Sequence, residues 1–422
     1  MRVKELTLHN FRGIKDLHLV FNTQHNVVVL VGVNGVGKSS ILDCIILLVK
    51  YYKGVCEHHH NFDSTPIDPE KLILDSDINA NQLKTINQIE ASFDELSVKW
   101  KIGKIVDRFP YHTIQSLAKL AALKKTIDKL HKRSTTNITY NEQSNIVYHC
   151  FYYFANRQAL YFRIFGDDET EDIINFHDFS EWFKDTEDLE NERRLSDNLN
   201  YRHPVLESVR LATYSLLGQE YNDLRFKRDI NKITIKKLEQ EIVIDLLSDG
   251  EKSLLAMVGN LSRRLSDWHN NLENPLEAEA LVLIDEIELH LHPAWQRSII
   301  PRLTKTFPNC QFIVTTHSPQ VLSHVDPECI HILDYDGDNV VVKRPENSFG
   351  LDSNRILEDI LGVPKRPQEI QDEMLELFRS INDNDLERAK EIVQKLGDKI
   401  GINEPELVKA EATIKRREII GR

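Results

Sequence analysis

The N-terminus places apolar residues at strand spacing: Val3, Leu6, Leu8 and Phe11 mark one strand, and LHLVF (17–21) a second. NVVVLVG (26–32) is a continuous β-branched run, the pattern of a strand buried on both faces. It leads straight into GVNGVGKSS and then an apolar helix, SILDCIILLVKYY. Farther on, QIEASFDELSVKWKI (88–102) alternates and predicts strand, and NIVYHCFYYFANR (145–157) predicts another buried strand. Between them, TIQSLAKLAALKKTIDKLHKR (113–133) carries apolar positions at helical spacing and reads as an amphipathic helix or a short arm. Residues 170–245 turn from acidic to basic, with patches of helical period.

The last third is more regular. DLLSDGEKSLLAMVGNLSRRL (245–265) predicts a turn and a helix, and ALVLIDEIELHLHP (280–293) a buried strand ending in carboxylates. QFIVTTHSP (311–319) predicts a buried strand ending in His, and ECIHILDYDGDNVVVKR (328–344) a hairpin turning at Asp336-Gly337. From about Asn354 the period is helical, broken at Pro364, Pro367, Gly397, Gly401 and Pro405. There is no internal repeat and no low-complexity tract.

Length and charge narrow the class. The 422 residues suggest two or three domains at roughly 150 residues each. With 41% hydrophobic and 28% charged residues, the composition is that of a soluble globular protein. A net charge of −13 argues against coating nucleic acid by bulk charge, although a local basic face stays open. No apolar run reaches the roughly 18 residues of a membrane span. MRVKELTLHN lacks the apolar core of a signal peptide, and the five cysteines are scattered without a CxxC. A cytoplasmic protein with reduced thiols is the expectation.

Gly32-Val33-Asn34-Gly35-Val36-Gly37-Lys38-Ser39 fits the phosphate-loop pattern G-x-x-x-x-G-K-[ST]. Its glycines let backbone N–H groups close on phosphates, Lys38 reaches the β/γ oxygens, and Ser39 offers a hydroxyl to Mg²⁺. A chance Gly-rich turn would lack the flanking strand and helix. Leu281-Val282-Leu283-Ile284-Asp285-Glu286 is four apolar residues followed by two acids. Asp285 can hold the Mg²⁺ shell and Glu286 can polarise the attacking water. Leu247-Ser248-Asp249-Gly250-Glu251 resembles the ABC signature, and alone would read equally as a helix cap with a Ser248–Glu251 capping box. His317, in Thr315-Thr316-His317-Ser318-Pro319, follows a buried strand where ABC-type ATPases have a γ-phosphate contact.

In chain order, with phosphate loop, signature, acidic strand and then His317, the motifs resemble an ABC-type ATPase of the RecF, SMC and OLD group. The opening LTLHNFRGI resembles that group's start and implies a nucleotide-binding role for Arg12. DEIELHLHP resembles small AAA-like ATPases of bacterial defence and OLD-type systems. Residues 245–422, including FPNCQFIVTTHSPQVLS and AEATIKRREIIGR, resemble the PtuA family, the ATPases of the Septu anti-phage system that also occur beside certain retrons. The ATPase resemblance covers 1–110 and 145–345.

The resemblance implies an α/β fold with a mixed sheet bearing the phosphate loop, an antiparallel N-terminal subdomain, a helical lobe and a C-terminal helical extension. The expected segments are 1–110 and 241–350 for the ATPase head, 111–240 for an insertion, and 351–422 for the extension. ATP and Mg²⁺ are the implied cofactors. Asn34, Gly35, Gly37, Lys38, Ser39 and Ser40 would bind nucleotide, with Ser39 and Asp285 on the metal and Glu286 and His317 catalytic. Ser248 and Gly250 would close on the γ-phosphate of a second subunit, making a homodimer or higher homo-oligomer. The implied partner is an HNH-type, PtuB-like nuclease, with nucleic acid as a further candidate and no membrane. The alternative is a RecF/SMC-like DNA-repair ATPase acting on DNA directly; a transporter subunit is disfavoured by the opening and the charge.

Departures and leftovers bear on this. Asp249 and Glu251 stand where transporters carry Gly and Gln, and Gln88 or Gln115 are the candidates for the usual Q-loop residue. Residues 41–246 are too few for a long coiled coil. Asp334, Asp336 and Asp338 suggest a metal cluster less well than a hairpin turn. Cys56, His58, His59 and His60 lack a second ligand pair at zinc spacing and read as a solvated loop. Lys119, Lys124, Lys125, Lys129, Lys132 and Arg133 read as a solvated helical face or as a contact to nucleic acid or a partner.

Overall fold

The alternating start of the chain folds as β1 (Arg2–Phe11) and β2 (Ile14–Val20), an antiparallel pair in which Leu6 faces Leu19 and Leu8 faces Leu17. The computed structural model describes residues 1–60, 73–80, 82–93, 96–105, 150–153, 160–164, 171–174, 176–196, 198–269 and 272–420. The basic stretch at 119–133 and Gln115 lie outside them, as do the side chains of Cys56 and His58–His60. The β-branched run forms β3 (Val27–Gly32), and helix α1 (Lys38–His60) follows the Gly-rich turn.

Residues 88–102, expected as strand, belong to two: β4 (Lys84–Phe93) and β5 (Leu96–Ile105) pair antiparallel. Together with the first pair they make a four-stranded sheet, β2-β1-β4-β5. Its inner face (Val3, Leu6, Leu8, Ile89, Trp100) packs with Ile41, Cys44, Ile45 and Leu48 of α1 in one core cluster. The Trp100 indole N–H donates to the Leu48 carbonyl at 2.8 Å, tying sheet to helix. Gln88 sits half-buried in mid-strand.

Short strands β6 (Cys150–Tyr153), β7 (Leu160–Ile164) and β8 (Glu171–Ile174) belong to the large sheet. A helical lobe then follows: α2 (Phe176–Ser196), α3 (Pro204–Leu217), the sheet of β9 (Tyr221–Lys227), β10 (Lys232–Lys237) and β11 (Gln240–Val243), and α4 (Asp249–Trp268). The three strands were not legible as strands. YNDLRFK and KITIKK alternate apolar with charged residues, and their charge masks a period of two. Next come β12 (Leu281–Ile284), α5 (Pro293–Thr306), β13 (Gln311–Thr315), and the hairpin β14 (Ile330–Asp336) and β15 (Asn339–Lys343). The eight-stranded sheet runs β15-β14-β3-β13-β12-β6-β7-β8. Five consecutive strands, β14-β3-β13-β12-β6, pair parallel, while β15 on one side and β7 and β8 on the other pair antiparallel.

Two of the three hairpin aspartates pair with lysines: Asp334 with Lys343 at 2.6 Å and Asp338 with Lys15 at 2.9 Å, while Gly337 takes the left-handed turn position. The described cysteines Cys44, Cys150, Cys310 and Cys329 are buried free thiols. Among the described residues, no helix is long and apolar enough to cross a membrane.

The chain divides into two units, Met1–Ile356 and Leu357–Arg422. Among its described residues the second holds the end of a short helix (Ser353–Asp359) and three whole helices, α6 (Gln368–Asn382), α7 (Leu386–Ile400) and α8 (Pro405–Ile420). Met374, Leu377, Ile381, Ile392, Leu396, Leu407 and Ile414 form its core. Leu375 and Phe378, which share the helical spacing in the sequence, face outward.

The helical lobe is bolted by a buried ion network. Arg210 on α3 donates to Glu187 at 2.7 Å and to Glu190 at 3.0 Å, both on α2, and to the Leu224 carbonyl of β9 at 3.2 Å. Burial opposes its charge, yet the two carboxylates raise the guanidinium above its ordinary value. Removing one partner of such a group strands the others in low dielectric, at about 3–5 kcal/mol. Arg210→Met should therefore lower the unfolding free energy from a denaturant titration by about 3–5 kcal/mol, seen as a lower midpoint. A variant also carrying Glu187→Gln and Glu190→Gln should recover part of the loss. A midpoint equal to wild type would show that the network contributes nothing to stability.

Candidate nucleotide-binding site

The carboxyl end of β3 delivers a loop that needs glycine. Gly32, Gly35 and Gly37 have φ of +153°, +83° and +107°. A Cβ at Gly32 would collide with the Leu333 carbonyl, and one at Gly37 would lie 2.9 Å from Ile14 Cδ1. The loop is thus held between the β14 strand and the N-terminal sheet, with Asn34 and Gly35 exposed at its tip. Lys38 and Ser39 open α1, so the loop ends at a helix N-terminus, where unpaired N–H groups and the dipole favour anions. Ser40, half-buried, shares that first turn.

Lys38 is buried, and its ammonium donates to the loop's own carbonyls, Gly32 at 2.9 Å and Val33 at 3.1 Å. Burial lowers its pKa, against the pull of Asp285, Glu286 and Glu288. A buried cation bonded to neutral carbonyls is poised to take an anion.

Two strands away, β12 ends and Asp285 N–H continues the ladder to the Tyr153 carbonyl at 2.9 Å. Ser39 Oγ donates to Asp285 Oδ2 at 2.8 Å. A hydroxyl and a carboxylate at that separation are hard oxygen donors of the kind Mg²⁺ takes. Glu286 follows with φ +50°, a left-handed backbone in a non-glycine residue. His317 follows β13; its N–H donates to Glu288 Oε1 at 2.6 Å. Burial, then the nearby Lys38 charge, hold its imidazole below the ordinary value, so it is neutral at pH 7.

The structure therefore brings Lys38, Ser39, Asp285, Glu286 and His317 together. Ser248 and Arg12 are engaged elsewhere. Ser248 caps α4 in a capping box, its Oγ donating to Glu251 Oε2 at 2.7 Å, and it is exposed. Gly250 is buried against the loop that follows Glu286, where a Cβ would collide with the His290 carbonyl. Arg12, at φ +49°, pairs with Asp43 of α1 and with Asp77 at 2.9 Å. It ties the N-terminal sheet to the helix that opens with Lys38.

Two residues of the site escaped the sequence reading: Thr315 and Glu288. A threonine at the end of a β-branched run reads as an ordinary strand residue, and an acid two positions past the pair reads as loop. Only the pairing of neighbouring strand ends gives either a partner.

A family model described as "AAA domain, putative AbiEii toxin, Type IV TA system" matches residues 27–323, and another described as "AAA domain" matches 1–51. "Retron Ec83 probable ATPase" of Escherichia coli is 26% identical, over 99% of this chain and 87% of that protein. "Retron Vc95 probable ATPase" of Vibrio cholerae is 26% identical, over 90% and 82% respectively. "Septu protein PtuA" of Bacillus thuringiensis is 26% identical, over 93% of each. The larger family match runs from the strand that feeds the phosphate loop to the turn beyond His317, and by it the chain belongs to this AAA-domain family and is an ATPase.

Proposed function

We propose that this ATPase serves an anti-phage defence system: it closes head-to-tail on ATP and thereby controls a separate nuclease. The observation that carries the reading is a division of labour within one chain. Lys38, Ser39, Asp285, Glu286 and His317 lie together at the strand ends, one half of the phosphate site in this reading, while the exposed start of α4, at Ser248, presents a helix N-terminus on the helical lobe. A second copy can supply what each half lacks. The similarity to retron and Septu proteins supports the defence setting.

In this reading Lys38 leaves the Gly32 and Val33 carbonyls for the β/γ oxygens, and backbone N–H groups of the loop close on the phosphates. Mg²⁺, held by Ser39 and Asp285, would neutralise charge as the terminal phosphoryl group departs. Glu286 orients and polarises water, and neutral His317 donates to the γ-phosphate. Ser248 and the α4 N-terminus of the second copy complete the cage. Because Gly250 lies against His290, a shift of the lobe reaches the loop that carries Glu286.

Glu286→Gln should retain ATP binding, slow hydrolysis by about 10²-fold or more, and accumulate a dimer on size exclusion with ATP. Hydrolysis at the wild-type rate would remove Glu286 as the base. Ser248→Arg and Lys38→Ala should each abolish ATP-driven association alone. Mixed, they should restore one composite site per dimer and part of the activity. If the mixture stays inactive, or Ser248→Arg associates normally, residues 247–251 serve only as a helix cap. The C-terminal unit lies outside the four motifs, and its helices are proposed to dock the nuclease. Truncation after Ile356 should leave ATP binding intact and abolish co-purification with an HNH-type nuclease. Retention of the nuclease would move the docking surface elsewhere.

A further inference from the structure

We infer that Thr315 is a positioning residue for ATP hydrolysis: its hydroxyl fixes the Asp285 carboxylate and the Glu286 backbone at once, so that metal ligand and base are aimed together. The inference rests on the reading of Ser39 and Asp285 as the Mg²⁺ ligands.

Thr315 is the last residue of β13 and is fully buried. Its Oγ1 lies 2.5 Å from Asp285 Oδ1 and accepts the Glu286 N–H at 2.7 Å. The proton assignment follows from the partners. The backbone N–H can only donate, so it uses a lone pair of the hydroxyl. An ionised carboxylate can only accept, so it takes the hydroxyl proton. Both capacities of the side chain that matter here are spent on neighbouring residues of the adjacent strand end.

Each oxygen of Asp285 then has its own hydroxyl. Oδ1 faces buried Thr315; Oδ2 faces Ser39 at the start of α1. The Thr315 bond stops the carboxylate from rotating about its own axis, which keeps Oδ2 turned to Ser39 and the phosphate loop. A short bond to a carboxylate is of the strong, charge-assisted kind. The second bond acts on Glu286, whose left-handed backbone leaves its N–H out of the regular ladder. The Thr315 hydroxyl satisfies that N–H, while its carbonyl takes the next one, from Ile287, at 3.1 Å. Thr315 thus holds the turn that aims the Glu286 side chain. Groups that orient ligands in this way change metal affinity or activity by about 10–100-fold when removed.

The experiment is a Mg²⁺ titration of the full chain, read by binding of a fluorescent ADP, with the same nucleotide measured in EDTA. Thr315→Val keeps the shape and removes the hydroxyl. It should raise the Mg²⁺ midpoint about tenfold and lower kcat by at least as much, while metal-free nucleotide affinity stays within about twofold. Thr315→Ser should return the midpoint to that of wild type. If the Val variant does not fold, Thr315→Ala is read in its place. The proposal is overturned if Val or Ala leaves the midpoint unchanged while Asp285→Asn shifts it. It is equally overturned if Ser fails to restore the midpoint, or if metal-free binding falls in parallel. If Asp285→Asn itself leaves the midpoint unmoved, the metal assignment fails and the positioning role with it.

Discussion

Everything at the candidate nucleotide site hangs on the register of three parallel strands. β3 pairs with β13 so that Leu30 meets Thr315, and β13 pairs with β12 so that Val314 meets Ile284. Parallel strands put their carboxyl ends on one edge of a sheet, and the turns leaving that edge are where such folds hold ligands. Here this register sets the Gly-rich loop, the Thr315 hydroxyl and the Asp285-Glu286 pair side by side. A slip of one residue would turn Thr315 to the other face of the sheet and leave Asp285 Oδ1 and the Glu286 N–H without their shared partner.

Charge is buried in two different ways in this molecule, and the difference separates structure from function. Arg210 is surrounded by Glu187, Glu190 and a backbone carbonyl, so its charge is matched within the lobe. Lys38 is buried with bonds only to the neutral carbonyls of its own loop, and burial depresses its pKa. The first arrangement is complete without a ligand. The second holds a cation hydrogen-bonded only to neutral carbonyls, beside a helix N-terminus and within the pull of Asp285, Glu286 and Glu288, an arrangement suited to taking an anion.

The signature-like stretch is the place where a local cap and the proposed role in a second subunit's site draw on the same residues. Ser248 and Glu251 satisfy each other as a capping box, which stabilises α4 with no nucleotide involved. The same cap leaves a hydroxyl and a helix N-terminus exposed on a lobe whose glycine rests against His290. A local hydrogen-bond pattern therefore does not exclude the wider role, because capping and anion binding draw on the same unpaired N–H groups.

The sequence alone determined the elements whose signal is local. The run NVVVLVG, the glycines of the loop, the ALVLIDE strand end and the Asp336-Gly337 turn are each dictated by neighbouring residues: β-branched burial, positive φ, or a two-residue hairpin. Lys38, Ser39, Asp285 and Glu286 were expected from those motifs because phosphate chemistry asks for those residue types at strand and helix ends, whereas His317 was expected from the resemblance to ABC-type ATPases. The pair β4 and β5 was blurred into one strand, since the alternation of the sequence continues from one into the other. The strands β9 to β11 were hidden by their charged outer faces. What only the tertiary structure decided are the pairings between segments far apart in the chain. Arg12 with Asp43 and Asp77, Arg210 with two glutamates, Glu288 with the His317 N–H, and Thr315 with Asp285 and Glu286 all depend on which strand or helix lies next to which. A side chain's type states what it can bond; its partner is fixed by packing and register, which no local pattern encodes.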